Sequence, residues 1–154
     1  MRYFEDFTPG QVIDMGPSRV SEADIVAFAR RFDDQGFHTD PAAARNTPFG
    51  GIVASGWHTI ALCMRMMVDG YLHDAASLGS PGVDEVRWRV PVRPDDELRL
   101  RAVVREAVPS RGKTDRGIVH IDFTLRNQRD QAAMTMKAMQ MFARRPVRPA
   151  RPLS

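Results

Sequence analysis

Apolar residues change their period about halfway along the chain. In "SEADIVAFARRF" (21–32), Ile25, Phe28, Ala29 and Phe32 fall at i, i+3, i+4 and i+7, which predicts a helix with one apolar face. Ser21 suits its N-cap, with Asp24 three residues on as a capping-box variant. Gly36 predicts that this helix stops near "DDQG". "DPAAARN" (40–46) predicts a short helical turn, capped by Asp40 with Pro41 in its first position. After a loop at 47–56, a long helix is expected over roughly 56–72. Trp57, Ile60, Ala61, Met64, Met67 or Val68, and Tyr71 share one face, and Arg65 and Asp69 pair at i, i+4 on the other. That helix is apolar around most of its circumference, so it should be largely buried.

From residue 86 the period is two. Val86, Trp88, Val90 and Val92 alternate, then Leu98, Leu100, Ala102 and Val104, then Val119, Ile121, Phe123 and Leu125, then Ala132, Met134, Met136 and Ala138. "RPDD", "SRGKTDRG" and "NQRD" supply the turns between these runs. Upstream of the first helix only "TPG" (8–10) stands out, as a turn after a short N-terminal segment. The order predicts an α+β fold: helix, long buried helix, then an antiparallel meander packed on that helix.

Composition narrows the class. The 154 residues suit a single domain, and 43% apolar with 27% charged content suits a globular chain. No internal repeat occurs. No apolar run approaches the ~18 residues of a membrane span, and "MRYFEDFTPG" lacks the apolar stretch of a signal peptide. The single cysteine, Cys63, has no intrachain partner. These features predict a cytoplasmic protein with no membrane association. The pI near 9.6 comes from a Pro/Arg-rich tail. Residues 1–143 hold 18 basic and 19 acidic residues, net −1, while Arg144, Arg145, Arg148 and Arg151 carry the surplus. With no nucleic-acid-binding motif in the body, the expected organisation is one domain over 1–143 and a flexible tail over 144–154.

Two stretches carry candidate chemistry. "FDDQGFHTD" (32–40) puts Asp33 and His38 five apart, between a helix end and a capped turn, with Phe32 and Phe37 beside them as a sign of burial. A buried carboxylate beside an imidazole can hold and move a proton near neutral pH. "FGGIVASG" (49–56) opens the long helix. Ser55 is a plausible N-cap and Gly56 leaves the helix N-terminus open, so its unpaired amides can receive an oxygen that becomes negative. Each stretch also has a plain structural reading: a solvated loop for the first, a chain-turning glycine run for the second.

Taken together, "FDDQGFHTDPAAARNTPFGGIVASGWHT" resembles the signature of the MaoC-like dehydratases, which include the (R)-specific enoyl-CoA hydratases. The match runs through Asp33, Gln35, His38, Asp40, Ala44, Phe49, Gly50, Ile52, Val53 and Gly56. "VRWRVPVRPDDELRLRAVV" further resembles that family's strand pair, with its Pro and acidic turn. Gly36 departs from the usual Pro, which loosens the loop, and Asp34 adds a second carboxylate expected to face water. The resemblance implies the hot-dog fold, an antiparallel sheet wrapped around one long central helix, and a homodimer or a multiple of dimers. It implies hydration of a 2-enoyl thioester, or dehydration of a 3-hydroxyacyl thioester, carried by CoA or an acyl carrier protein, with no metal and no cofactor. Asp33 would take a proton from water, His38 would orient that water and return a proton to C2, and the Gly56 amide would hold the enolate oxygen. Gln35, Phe49, Gly50, Ser55, Trp57 and His58 would contact substrate.

Other residues read as structural: His73 at the helix end, His120 on the polar face of a strand, Cys63 in packing, and Met134, Met136, Met139 and Met141 in core or interface. Two alternatives stay open: a hot-dog acyl-CoA thioesterase, and a non-catalytic acyl-CoA-binding module.

Overall fold

The computed structural model describes residues 1–147. A 3-10 turn at Phe4–Asp6 leads into β1 (Val12–Arg19), followed by three helices: α1 (Glu22–Phe32), α2 (Gly36–Thr39) and α3 (Pro41–Arg45). Then come the long helix α4 (Gly56–Gly70), β2 (Gly82–Trp88), β3 (Glu97–Pro109), β4 (Arg116–Arg126) and β5 (Ala132–Ala143). The five strands form one antiparallel sheet in the order β1-β3-β4-β5-β2.

The alternation in β3, β4 and β5 sets the register of the sheet. Leu100 pairs with Leu125 and Ala102 with Phe123, and across the next seam Phe123 pairs with Met136 and Leu125 with Met134. All of these residues are buried in one core with Cys63, Met66 and Met67 of α4. Complete burial of each large apolar side chain contributes about 1.5–3 kcal/mol, so this strip accounts for much of the attachment of sheet to helix. Tyr71, just past α4, donates its hydroxyl to Gln140 of β5 at 2.6 Å. The result is the expected hot-dog arrangement, a sheet around one central helix.

Several expectations need correction. The sheet is not a simple meander. β1 was missed because "VIDMGPSR" has broken alternation and only Met15 is buried in it. β2 and β3 are not a strand pair: β2 lies beside β5 at one edge, and β3 lies between β1 and β4. The run continuing past Trp88 leaves the sheet and crosses its end. Gly36 does not end α1. The helix stops at Phe32, Asp33 is its C-cap, and Gly36 begins α2. Phe32 is 64% exposed, so it is no sign of a buried loop. The buried face of α4 is His58, Thr59, Cys63, Met66 and Met67, whereas Trp57 is 66% and Met64 47% exposed. A helix apolar on most sides does not choose its buried face by period alone.

The N-cap expectations agree with the structure, although the Asp24 side chain returns no bond to the Ser21 N–H, so the capping box is half formed. The Ser21 hydroxyl accepts the Asp24 N–H at 3.1 Å, and Asp40 accepts the Ala42 N–H at 2.9 Å. Arg65 and Asp69 form the expected i, i+4 pair. Arg144 and Arg145 are tied to the N-terminal turn, through Glu5 at 3.1 Å and Asp6 at 2.7 Å. The rest of the tail expected to be flexible over 144–154, from residue 148 on with Arg148 and Arg151 included, lies outside the described residues. No helix among the described residues is long and apolar enough to cross a membrane.

Candidate active site

Asp33 is the C-cap of α1, and His38 lies in the four-residue helix α2 that follows. The Asp33 N–H closes α1 on Ala29 O at 2.8 Å, the Asp33 carbonyl accepts the Gln35 N–H at 2.8 Å, and the His38 N–H donates to Gln35 O at 2.9 Å. The turn between the two side chains is therefore tied by backbone bonds at Gln35 and at His38. His38 is buried, and its Nδ1 lies 2.5 Å from Val53 O. A carbonyl only accepts, so Nδ1 carries the hydrogen and Nε2 is the atom turned towards Asp33. His38 Nε2 stands 3.3 Å from Asp33 Oδ2. The Val53 N–H returns a bond to Phe37 O at 3.2 Å, so the imidazole is braced on a backbone that is itself fixed.

The carboxylate is oriented by two donors. Gln35 Nε2 donates to Asp33 Oδ1 at 2.6 Å and Ser55 Oγ donates to Oδ2 at 2.7 Å. The Gln35 bond, then the Ser55 bond, and the nearby His38 hold the Asp33 carboxyl below the usual carboxylate range, against the opposing effect of burial. Ser55 is fully buried, and its oxygen also accepts the Trp57 N–H at 3.3 Å as the N-cap of α4. The Gly56 N–H, at the positive end of α4, has no acceptor among the described residues.

A cavity of about 460 Å³ opens onto this group, lined by Asp33, His38 and Gly56 together with Phe49, Trp57 and Trp88. Trp88 Nε1 donates to Gly56 O at 3.1 Å. The indole lies so close that a Cβ on Gly56 would meet it at 2.5–2.8 Å, so only glycine admits this contact. Phe49 is placed by a loop that turns at Gly50, where φ is +70°, and Arg93 Nη2 holds that loop by donating to Phe49 O at 2.7 Å. A second depression of about 700 Å³ lies over β1, β3 and β4, but Arg101–Asp14 and Arg99–Glu97 pair its charges with one another. Among the described residues no three His, Cys, Asp or Glu side chains gather as a metal donor set.

Of the nine residues expected at the site, five line the cavity: Asp33, His38, Phe49, Gly56 and Trp57. Gln35 and Ser55 lie outside its lining and bond the Asp33 carboxylate instead. Gly50 shapes the loop behind Phe49. His58 faces away from the cavity. Its ring stacks on Phe28 of α1 at 4.7 Å, its Nδ1 has no partner among the described residues, and burial pushes its pKa down. Sequence reasoning missed Trp88, Arg89, Thr59 and Ala133. Trp88 had one usable signal: it is one of only two tryptophans, and it stands T-shaped to the other, Trp57, with ring centroids 6.1 Å apart.

Known proteins share this arrangement of chain. A family-wide sequence profile described as "MaoC like domain" matches residues 6–127. A solved MaoC-like dehydratase from Rhodospirillum rubrum is 40% identical, with a TM-score of 0.88 over 96% of this chain and 100% of that one. An uncharacterized protein, YdeM, from Bacillus subtilis is 31% identical over 82% of this chain and 88% of its own length. An (R)-hydratase from A. caviae involved in PHA biosynthesis, 22% identical, has the same fold with a TM-score of 0.73, over 90% of this chain and 98% of that one.

Proposed function

Because the chain belongs to the MaoC-like domain family, we propose that its cavity adds water to 2-enoyl thioesters and removes it from 3-hydroxyacyl thioesters. The observation that carries this reading is the convergence of Asp33 Oδ2 and His38 Nε2, 3.3 Å apart, on a cavity whose wall includes the unpaired Gly56 amide. Both atoms present lone pairs in the neutral-imidazole state, so one water can donate a hydrogen to each. Asp33 takes a proton as the water oxygen bonds C3 and the C2=C3 π pair moves towards the thioester carbonyl. The Gly56 N–H receives the negative oxygen of the enolate, where a donor fixed in advance lowers the barrier most. His38 orients the water, and the proton returns from the pair to C2. The net change is hydrogen at C2 and hydroxyl at C3, and dehydration is the reverse.

The acyl carrier is CoA or an acyl carrier protein, and the working unit is a dimer. Support for the dimer is the apolar surface that one copy leaves in water. Trp57, Met64, Trp88 and Val83 are each 47–66% exposed, and β2 leaves an unpaired sheet edge beside them. Trp57 and Trp88 also line the cavity, so a second copy seated there would complete its wall.

Loss of enoyl absorbance on mixing the protein with a panel of 2-enoyl-CoA thioesters tests the reaction, with release of free thiol read in parallel. Absorbance loss without thiol is expected. Thiol release from saturated and unsaturated substrates alike would make the protein a thioesterase. Tight binding with neither signal would make it a binding module.

A further inference from the structure

The cavity wall holds one arginine that no carboxylate among the described residues pairs with. Arg89 lines it at the point where β2 leaves the sheet. Its backbone is clamped, because the Arg89 and Val90 N–H groups both donate to Ala133 O, at 2.8 and 3.4 Å. Its guanidinium is not: among the described residues Arg89 takes part in no ion pair. The neighbouring arginines are occupied. Arg87 reaches Glu85 at 4.0 Å, and Arg93 donates to Phe49 O. The one carboxylate in the wall, Asp33, is engaged by Gln35, Ser55 and His38. The rest of the lining near Arg89 is apolar: Trp88, Val90, Pro91, Val92 and Ala133.

We propose that Arg89 receives an anionic group of the substrate, pairing its planar fork with two oxygens of a phosphate or a carboxylate. The proposal rests on the thioester reading above. A guanidinium on a fixed backbone beside apolar wall is partly desolvated when a ligand enters, and a bidentate oxyanion then replaces the lost water. Two parts of a thioester can supply that oxyanion: the phosphate of a phosphopantetheine arm, common to CoA and acyl carrier proteins, or a carboxylate at the far end of the acyl group.

Three substrates separate the sources when run with wild type, Arg89→Gln and Arg89→Lys: a neutral 2-enoyl-CoA, the same acyl group on N-acetylcysteamine, and a carboxyl-terminated 2-enoyl group on N-acetylcysteamine. Arg89→Gln is expected to lower kcat/KM by about 10-fold or more on an anionic substrate, chiefly through KM. The neutral N-acetylcysteamine thioester should stay within about 2-fold, and Arg89→Lys should recover part of the loss as a point charge. Loss on the CoA substrate alone assigns the phosphate, and loss on the carboxylated substrate alone assigns the acyl carboxylate. Equal effects on all three, or none, overturn the proposal. If wild type turns over none of them, the hydratase reading fails. Arg89 is then judged by calorimetry with CoA and with succinyl-N-acetylcysteamine, where unchanged affinity in Arg89→Gln overturns the proposal and Arg89-dependent affinity upholds it.

Discussion

The Ser55 hydroxyl donates to Asp33 Oδ2 at 2.7 Å, across 22 residues of chain. The same oxygen accepts the Trp57 N–H, so one side chain ends the loop, starts the central helix and aims the carboxylate. Ser55→Ala should therefore do two separable things. Loss of the cap costs about 0.5–2 kcal/mol of stability, read as a lower urea midpoint. Loss of the hydrogen bond raises the Asp33 pKa, so the acidic limb of the kcat/KM profile should move to higher pH. A variant with lower stability and an unmoved acidic limb would remove Asp33 as the titrating base.

Asp33→Asn preserves the shape of the carboxylate and removes its basicity, whereas His38→Ala removes the partner that holds the water. Each should lower kcat by about 10²-fold or more. Asp33→Asn is the cleaner test, because Asn keeps the side-chain shape and one oxygen that can accept from Ser55 or Gln35. A variant keeping more than about a third of wild-type kcat would end the acid–base assignment.

His58 predicts a stability effect away from catalysis. Burial lowers its pKa, so the folded state holds it neutral while the unfolded chain binds a proton below about 6.5. The folded state thus binds fewer protons, and stability contributed by His58 is present above pH 6.5 and lost as pH falls below it. His58→Leu keeps an apolar contact with Phe28 and removes the proton site. Urea midpoints measured from pH 7.5 down to pH 5 should fall more steeply for wild type than for the variant, and parallel curves would contradict the assignment.

Gly56→Ala tests how closely Trp88 covers the helix start. Its Cβ would meet the indole at 2.5–2.8 Å, and the half-exposed Trp88 must move, breaking its 3.1 Å bond to Gly56 O. Alanine favours helix by up to about 1 kcal/mol over glycine, which offsets part of the strain, so stability should change little. The wall of the cavity shifts regardless, and KM should rise by several-fold. A crystal structure of the variant with Trp88 unmoved and kinetics unchanged would refute this.

The readable parts of this protein are those whose cause is local. Alternation in 98–138 marked three strands and their buried faces, because a strand in a one-sided sheet must alternate. The caps at Ser21, Asp40 and Ser55 were legible because a short polar side chain bonds an amide two or three residues away. Asp33 and His38 were legible as a pair because only four residues separate them. β1 was not, since Gly16 and Pro17 interrupt its pattern and its place at the sheet edge leaves Val12 half exposed. The rotation of α4 was not, since the sheet rather than the helix period selects which apolar side is covered.

By itself, then, the sequence determined the types of the regular, patterned elements, the caps and the catalytic candidates, all products of contacts between near neighbours. Tertiary structure alone decided that Val53 O orients the His38 ring, that Ser55 and Gln35 both bond the Asp33 carboxylate, and that Trp88 and Arg89 join the cavity wall. Most of those contacts join segments 15 to 32 residues or more apart. They exist only once loop closure has brought the end of β2 and the start of α4 to the same place, and no periodicity along the chain encodes that meeting.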